Sequence, residues 1–172
     1  MNWATTLRYV VCRFIGNDTM DVGNKEFLKA KNYAYKLLSY RPRSAKEINE
    51  RLKKRGFSAQ IIKKTVGYLS GLNYLNDENF ARVWIQDKLK FSPVGRPLLR
   101  YQLRQKGIAE QITEKALSET AGQYDEYEAV RRLAASRRKR YKGLEPMKIK
   151  RRLYGYLRRR GFSQEAILEA IK

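Results

Sequence analysis

The chain has 172 residues and a formal net charge of +21, from 38 Lys and Arg against 17 Asp and Glu. It contains no histidine and a single cysteine, Cys12, which excludes Ser–His and Cys–His nucleophile chemistry, histidine metal sites and an internal disulfide. A charge so far from zero costs self-repulsion in the folded chain, so we expect an acidic partner, with nucleic acid first and an anionic membrane surface second.

Residues 1–28 fit none of the patterns found later in the chain, and no role is predicted for them. Their apolar run at residues 9–11 is flanked by Arg8 and Arg13 and is too short for a membrane span or a good signal peptide, so a cytoplasmic location and no membrane partner are expected. Residues 7–14 are compatible with a strand, and residues 16–18 with a turn after it.

Three later segments, residues 44–57, 95–108 and 149–162, align without gaps. Each has an apolar residue and a leucine on one helical stripe, eight and four positions before a glycine. The glycine stands where a helix ends in the left-handed conformation, and the apolar residue after it can pack back on the leucine, as in a Schellman motif. The stripe and turn residues are Ile48, Leu52, Gly56 and Phe57; Leu99, Leu103, Gly107 and Ile108; and Leu153, Leu157, Gly161 and Phe162.

A second helix is predicted after each glycine, and a further amphipathic stretch precedes each pair, so the unit has three helices. Such a unit cannot bury its apolar face alone. The sequence therefore predicts an all-α fold of three tandem three-helix repeats stacked into an elongated curved array, with repeats at residues 29–74, 75–121 and 122–172. Trp84 is expected to anchor the core of the second repeat.

Turn and capping residues agree with this partition. Ser44 and Glu47 form a capping box, and prolines interrupt the chain before the middle helices of all three repeats. Several acidic residues near helix starts are candidates for a carboxylate metal site, but capping explains them more simply. These residues are Asp77, Glu78, Asp125, Glu126 and Glu128.

The positive charge is concentrated in residues 131–160, which contain fourteen Lys and Arg and one acid, Glu145. Tyr141, Tyr154 and Tyr156 lie among them, a pattern typical of a surface that follows phosphates. Compensation of a helix dipole does not account for so dense a cluster. The predicted contacts to DNA or to a filament are Arg131, Arg132, Arg137, Arg138, Lys139, Arg140, Lys150, Arg151, Arg152, Arg158, Arg159 and Arg160. The predicted secondary contacts are Arg41, Arg43, Lys53, Lys54, Arg100 and Arg104.

Four stretches together resemble the RecX family of recombination regulators: residues 41–47 (RPRSAKE), 71–81 (GLNYLNDENFA), 103–108 (LRQKGI) and 157–162 (LRRRGF). The second stretch is the most specific, and the resemblance covers roughly residues 30–172. One departure is Gly95-Arg96-Pro97, where many members have Gly-Pro directly.

The resemblance implies a non-enzymatic regulator, usually an inhibitor, of the RecA recombinase in DNA repair and the SOS response. Such a protein lies in the groove of a RecA–DNA filament and modulates strand exchange, ATP hydrolysis and the coprotease role. We further expect a monomer without a cofactor, with sequence-neutral binding to single- and double-stranded DNA.

Other functions stay open at this point. An autonomous DNA-binding protein is one; it would bind without sequence preference or read bases through a helix-turn-helix around residues 52–57. The candidate recognition helix offers little beyond Gln60, Lys63 and Lys64 for reading bases. A carboxylate-metal nuclease is another, and incubation of the protein with DNA and Mg²⁺ or Mn²⁺ discriminates it. The sequence has no Gly-x-x-x-x-Gly-Lys-Ser/Thr nucleotide loop.

Overall fold

The structure, a computed structural model, describes residues 22–120, 122 and 124–172, and all regular elements within them are helical. The strand and turn predicted for residues 7–18 lie outside the described residues. The predicted all-α fold of three-helix repeats is confirmed. The first triplet comprises α1 (Val22–Tyr40), α2 (Ala45–Lys54) and α3 (Ala59–Gly71); the second, α4 (Asp77–Phe91), α5 (Arg96–Gln105) and α6 (Glu110–Glu119); the third, α7 (Glu126–Arg138), a 3₁₀ turn (Lys139–Tyr141), α8 (Pro146–Arg159) and α9 (Gln164–Ala170).

Each middle helix ends at a left-handed glycine. In the first triplet the N–H of Gly56 donates to the carbonyl of Lys53 at 3.0 Å, and the N–H of Phe57 donates to the carbonyl of Leu52 at 3.3 Å. This pair of bonds is the Schellman pattern expected from the sequence. Positive φ angles occur in all three turns, at Gly56 (+87°), Gly107 (+80°) and Gly161 (+75°).

The described chain divides into two compact units, with the boundary between Phe80 and Ala81. The first unit contains the first triplet, and the second unit contains most of α4 together with the rest of the chain.

The apolar stripes predicted for α2 and α8 are fully buried. The core of the first triplet consists of Ala30, Ala34, Leu37, Leu38, Ile48, Leu52, Ile61, Ile62, Leu69 and Leu75. The core of the third triplet consists of Val130, Ala134, Leu153, Leu157, Phe162, Ala166, Ile167 and Ile171.

For Trp84, the predicted core anchor of the second triplet, the structure shows partial rather than full burial. Its side chain is only half-buried, and the Nζ atoms of Lys88 and Lys106 lie 5.4 and 5.9 Å from its ring. The buried face of α4 is carried by Phe80, Ala81 and Ile85. Trp84 follows Phe80 by four residues and therefore lies about 40° from it around the helix, so it borders this buried face.

Leu103 in α5 is fully buried, so we expect Leu103→Ala to lower the free energy of unfolding by about 2–5 kcal/mol, through lost apolar burial and the cavity left behind. Urea denaturation measures this change. The matched control is Leu168→Ala in α9 of the same unit, where the leucine is 45 % exposed and the expected effect is within about 0.5 kcal/mol. Equal stability of the wild type and the Leu103 variant would contradict the assigned register.

Candidate nucleic-acid interface

The basic surface of the third triplet is built on two capped helices. α7 begins after Asp125, whose carboxylate accepts a hydrogen bond from the N–H of Glu128 at 3.1 Å. α8 begins after Glu145, whose two carboxylate oxygens accept from the N–H groups of Met147 and Lys148 at 2.9 and 3.0 Å. The single acid of residues 131–160 is therefore engaged by the start of α8.

Helical geometry separates the buried and basic faces of α8. Leu153 and Leu157 are completely buried, whereas Arg151 and Arg158 lie on the opposite side of the helix and are exposed. Of the twelve residues predicted as main contacts, Arg137 and Arg160 are half-buried. The exposed ones are Arg131, Arg132, Arg138, Lys139, Arg140, Lys150, Arg151, Arg152, Arg158 and Arg159.

Most of this charge has no acidic neighbour. Arg131 and Arg132 share the carboxylate of Glu128, with N–O distances of 3.6 and 3.8 Å. Across residues 137–160, all of which the structure describes, no Lys or Arg has a carboxylate of a described residue within 4.0 Å. Such a group of uncompensated cations attracts and steers a polyanion.

Aromatic rings hold three arginines of this surface. The Cζ atoms of Arg137 and Arg160 lie 4.4 and 5.1 Å from the ring centroid of Tyr156. The Cζ atom of Arg152 lies 5.7 Å from the centroid of Tyr141. Two of the three tyrosines among these basic residues, Tyr141 and Tyr156, therefore contact guanidinium groups within the third triplet.

The third triplet is joined to the second by a close backbone contact. The N–H of Gly95, the N-cap of α5, donates to the carbonyl of Arg160 at 2.9 Å. A Cβ atom on Gly95 would lie 1.7 Å from the carbonyl oxygen of Gly161. Arg160 also donates from Nη1 to the carbonyl of Pro93 at 2.9 Å. This contact fixes the end of α8 against the segment that opens α5.

Two of the residues predicted as secondary contacts in the first triplet already form hydrogen bonds within the protein. Arg41 forms two hydrogen bonds of 3.1 Å to the carboxylate of Glu47. Arg43 donates from Nε to the carbonyl of Leu37 at 3.1 Å, and burial, followed by the nearby charge of Arg41, lowers the pKa of its guanidinium. Lys53 and Lys54 are exposed.

In the second triplet Arg100 is paired across α5 and α6. Its Nε and Nη2 atoms donate to the carboxylate of Glu114 at 2.5 and 2.8 Å, and these bonds lower the pKa of Glu114. Arg104 is exposed, with its Cζ atom 6.0 Å from the ring centroid of Tyr101.

The first predicted repeat also carries a large excess of positive charge, which was not predicted as a main binding surface. Residues 29–74 contain 12 Lys and Arg against 2 acids, residues 75–121 contain 8 against 6, and residues 122–172 contain 15 against 6. On α1 and α3, Lys31 and Lys64 lie over the ring of Phe27 at 5.7 and 4.6 Å, and this ring packs edge-on against Tyr68. A count of charges for each repeat would have revealed the positive charge of the first repeat from the sequence.

Two of the candidate metal-binding carboxylates form hydrogen bonds at the starts of other helices. Asp77, one of the candidate carboxylates, accepts a hydrogen bond from the N–H of Ala45 at 3.0 Å, and Glu126 accepts two from Ser163. Within residues 22–120, 122 and 124–172, no three Asp, Glu or Cys side chains are grouped so as to hold a metal ion. In the same part of the chain, no helix is long and apolar enough to cross a bilayer.

The fold and the site define the class: this is a protein of tandem three-helix repeats with a strongly cationic surface on its third triplet. Three family models match it: the first, second and third three-helix domains of RecX, at residues 30–69, 76–117 and 124–171. The chain belongs to the RecX family.

Named relatives agree with this assignment. The chain is 36 % identical to "Regulatory protein RecX" of Prosthecochloris aestuarii over 143 residues, which cover 83 % of this chain and 91 % of the relative. It is 33 % identical to "Regulatory protein RecX" of Chlorobaculum tepidum over 153 residues, covering 89 % and 91 %. The crystal structure of RecX from Lactobacillus salivarius matches with a TM-score of 0.68 and 25 % identity, covering 86 % of this chain and 95 % of that one.

The close contact at Gly95 predicts that alanine destabilises the protein at Gly95 but not at Gly155. Gly95→Ala should destabilise the second unit by about 1–3 kcal/mol, because the added methyl group meets rigid backbone. Gly155→Ala in α8 is the matched control: its Cβ would meet only the flexible end of Arg159, so the better helix former should stabilise the protein by up to about 1 kcal/mol. Thermal and urea denaturation measure both changes, and a Gly95 variant as stable as the wild type would contradict the contact.

Proposed function

We propose that this protein regulates the RecA recombinase, most often as an inhibitor, by binding in the groove of RecA–DNA filaments and modulating strand exchange, ATP hydrolysis and coprotease activity. The single observation that carries the proposal is the cationic surface of α7, the 3₁₀ turn and α8, most of whose charge has no acidic partner among the described residues, in a member of the RecX family. A nucleoprotein filament presents a long array of phosphates, and such a surface binds phosphates without reading bases.

The residues available for catalysis favour a binding protein over an enzyme. The chain has no histidine for acid–base chemistry, and the carboxylates of Asp125 and Glu145 are engaged in helix caps. We therefore propose a regulator that acts as a cytoplasmic monomer without a cofactor, and that its contacts to single- and double-stranded DNA are sequence-neutral.

The proposal predicts suppression of DNA-dependent ATP hydrolysis by the cognate RecA at substoichiometric amounts of this protein, because one molecule in the groove affects several RecA protomers. ATP hydrolysis and strand exchange are measured across a titration. Unchanged rates at every ratio would refute a regulatory action on RecA.

The basic surface is tested by Arg138→Gln, Lys139→Gln and Arg140→Gln in one variant. These exposed residues lack carboxylate partners among the described residues, so the fold should persist while DNA binding weakens. The slope of log K against log[salt] on duplex DNA should become shallower by about 2.7, because each lost phosphate contact contributes about 0.9. Salt titrations by fluorescence anisotropy measure this slope.

A control variant removes the same charge from the second triplet, with Gln at Lys90, Arg96 and Lys115. If the two variants lose affinity equally, overall charge and not this particular surface governs binding, and the proposed placement is wrong.

An autonomous, sequence-neutral DNA-binding protein is the second candidate, and the same cationic surface favours it. The two functions separate in the titration above: DNA binding with unaltered RecA activity supports the autonomous protein. Affinity for one sequence that survives excess random DNA would instead indicate a base reader. On α3, Gln60, Lys63 and Lys64 are exposed, but Lys64 lies 4.6 Å from the ring of Phe27.

A further inference from the structure

Two guanidinium groups of the third triplet share one aromatic ring. Arg137 lies near the end of α7 and Arg160 at the C-cap of α8, and both contact Tyr156. Their Cζ atoms cannot be farther apart than the two ring distances added, about 9.5 Å. This separation is no greater than the screening length of roughly 10 Å at 0.1 M salt, so the two positive charges repel each other. Tyr156 therefore keeps together two groups that repel.

These two arginines differ from the other basic residues of the surface. Both are half-buried, and Nε of Arg137 is buried without a hydrogen-bond partner. A cation–π contact stabilises a guanidinium less than hydrogen bonds to a charged acceptor do. Neither arginine has a carboxylate of a described residue within 4.0 Å. In the protein alone the pair lacks a compensating anion.

The pair is also fixed in place. Nη1 of Arg160 is bonded to the carbonyl of Pro93, and its own carbonyl accepts from Gly95. The bond from Nη1 to Pro93 uses one of the five N–H donors of the Arg160 guanidinium. For Arg137 the buried Nε leaves the two Nη groups, with four N–H donors, to reach a ligand. Because contact with the ring of Tyr156 restricts both side chains, little side-chain freedom is lost when a ligand binds.

We propose that Arg137, Tyr156 and Arg160 form a preorganised clamp for one phosphodiester group of a nucleic-acid backbone, with Tyr156 as the positioning residue. The clamp rests on the proposed function in one respect, that this surface binds nucleic acid. Planar guanidinium groups match phosphate oxygens with paired hydrogen bonds. The clamp lies among further uncompensated cations at residues 138–140 and 148–159, which suit the regularly spaced charges of nucleic acid better than an isolated carboxylate of a protein.

The test uses substitutions that leave the net charge unchanged. Tyr156→Leu removes the aromatic ring, Tyr156→Phe retains it, and Tyr127→Leu is the matched control on α7, where Tyr127 is 41 % exposed. Binding of the full chain to a labelled 30-nucleotide oligothymidylate is followed by anisotropy from low to high salt. Tyr156→Leu should weaken binding about tenfold and make the salt slope shallower by about 0.7, the contribution of one phosphate on single-stranded DNA. Tyr156→Phe and Tyr127→Leu should bind like the wild type.

A double-mutant cycle tests whether Tyr156 acts through Arg137. Arg137→Lys keeps the charge but loses the planar group, so it should reproduce the loss caused by Tyr156→Leu, and the double variant should lose little more. Additive losses would overturn the clamp. If Tyr156→Leu fails to fold by circular dichroism, Arg137→Lys on the intact ring carries the test through the loss of affinity, because it removes the planar group and keeps the charge.

The outcomes separate the clamp from the proposed function. Wild-type affinity in both Tyr156→Leu and Arg137→Lys would overturn the clamp. The proposed function is judged by the RecA titration, and the placement of the DNA-binding surface by the glutamine variant of residues 138–140. An equal loss in Tyr127→Leu would also overturn it. If Tyr156→Leu and Arg137→Lys bind an oligoglutamate peptide more weakly but bind oligothymidylate like the wild type, the phosphodiester clamp is overturned. The ligand would then be an acidic protein surface.

Discussion

The glycine that ends each middle helix is the constraint on which the structure depends. The chain has to reverse there with a positive φ, which glycine adopts without the steric conflict of a Cβ atom. The reversal lets the residue after the glycine return to the apolar stripe of its own helix, as Phe162 does in the third triplet. At Gly161 the same turn also packs against Gly95. One backbone conformation therefore closes the triplet and joins it to the preceding one.

The dense charge of the third triplet is compatible with folding because α8 has two distinct faces. Leu153 and Leu157 pack in the core, and their burial offsets the repulsion among arginines on the opposite side. The acids of this triplet do not neutralise most of that charge. Glu145 binds backbone N–H groups of α8, and Glu126 binds Ser163 at the start of α9. The carboxylates stabilise helix starts and leave the cations available to a partner.

The candidate site followed from the sequence only in part. Density of charge indicated the third triplet, because a run of Lys and Arg is a local property of the chain. It could not separate Arg100, which is held by Glu114 on the next helix, from the exposed Arg104. Which carboxylate comes within reach depends on how helices pack, and the spacing of charges along the chain does not contain that information.

By itself the sequence determined the three triplets, their glycine turns and the absence of histidine chemistry, because helix stripes, caps and turns are set by residues a few positions apart. Only the tertiary structure decided how individual side chains are used. Arg160 bonds to Pro93, 67 residues away, Arg137 and Arg160 both contact Tyr156, and Trp84 is only partly buried. These placements arise from contacts between helices distant in the chain, where packing and not local spacing selects the partners.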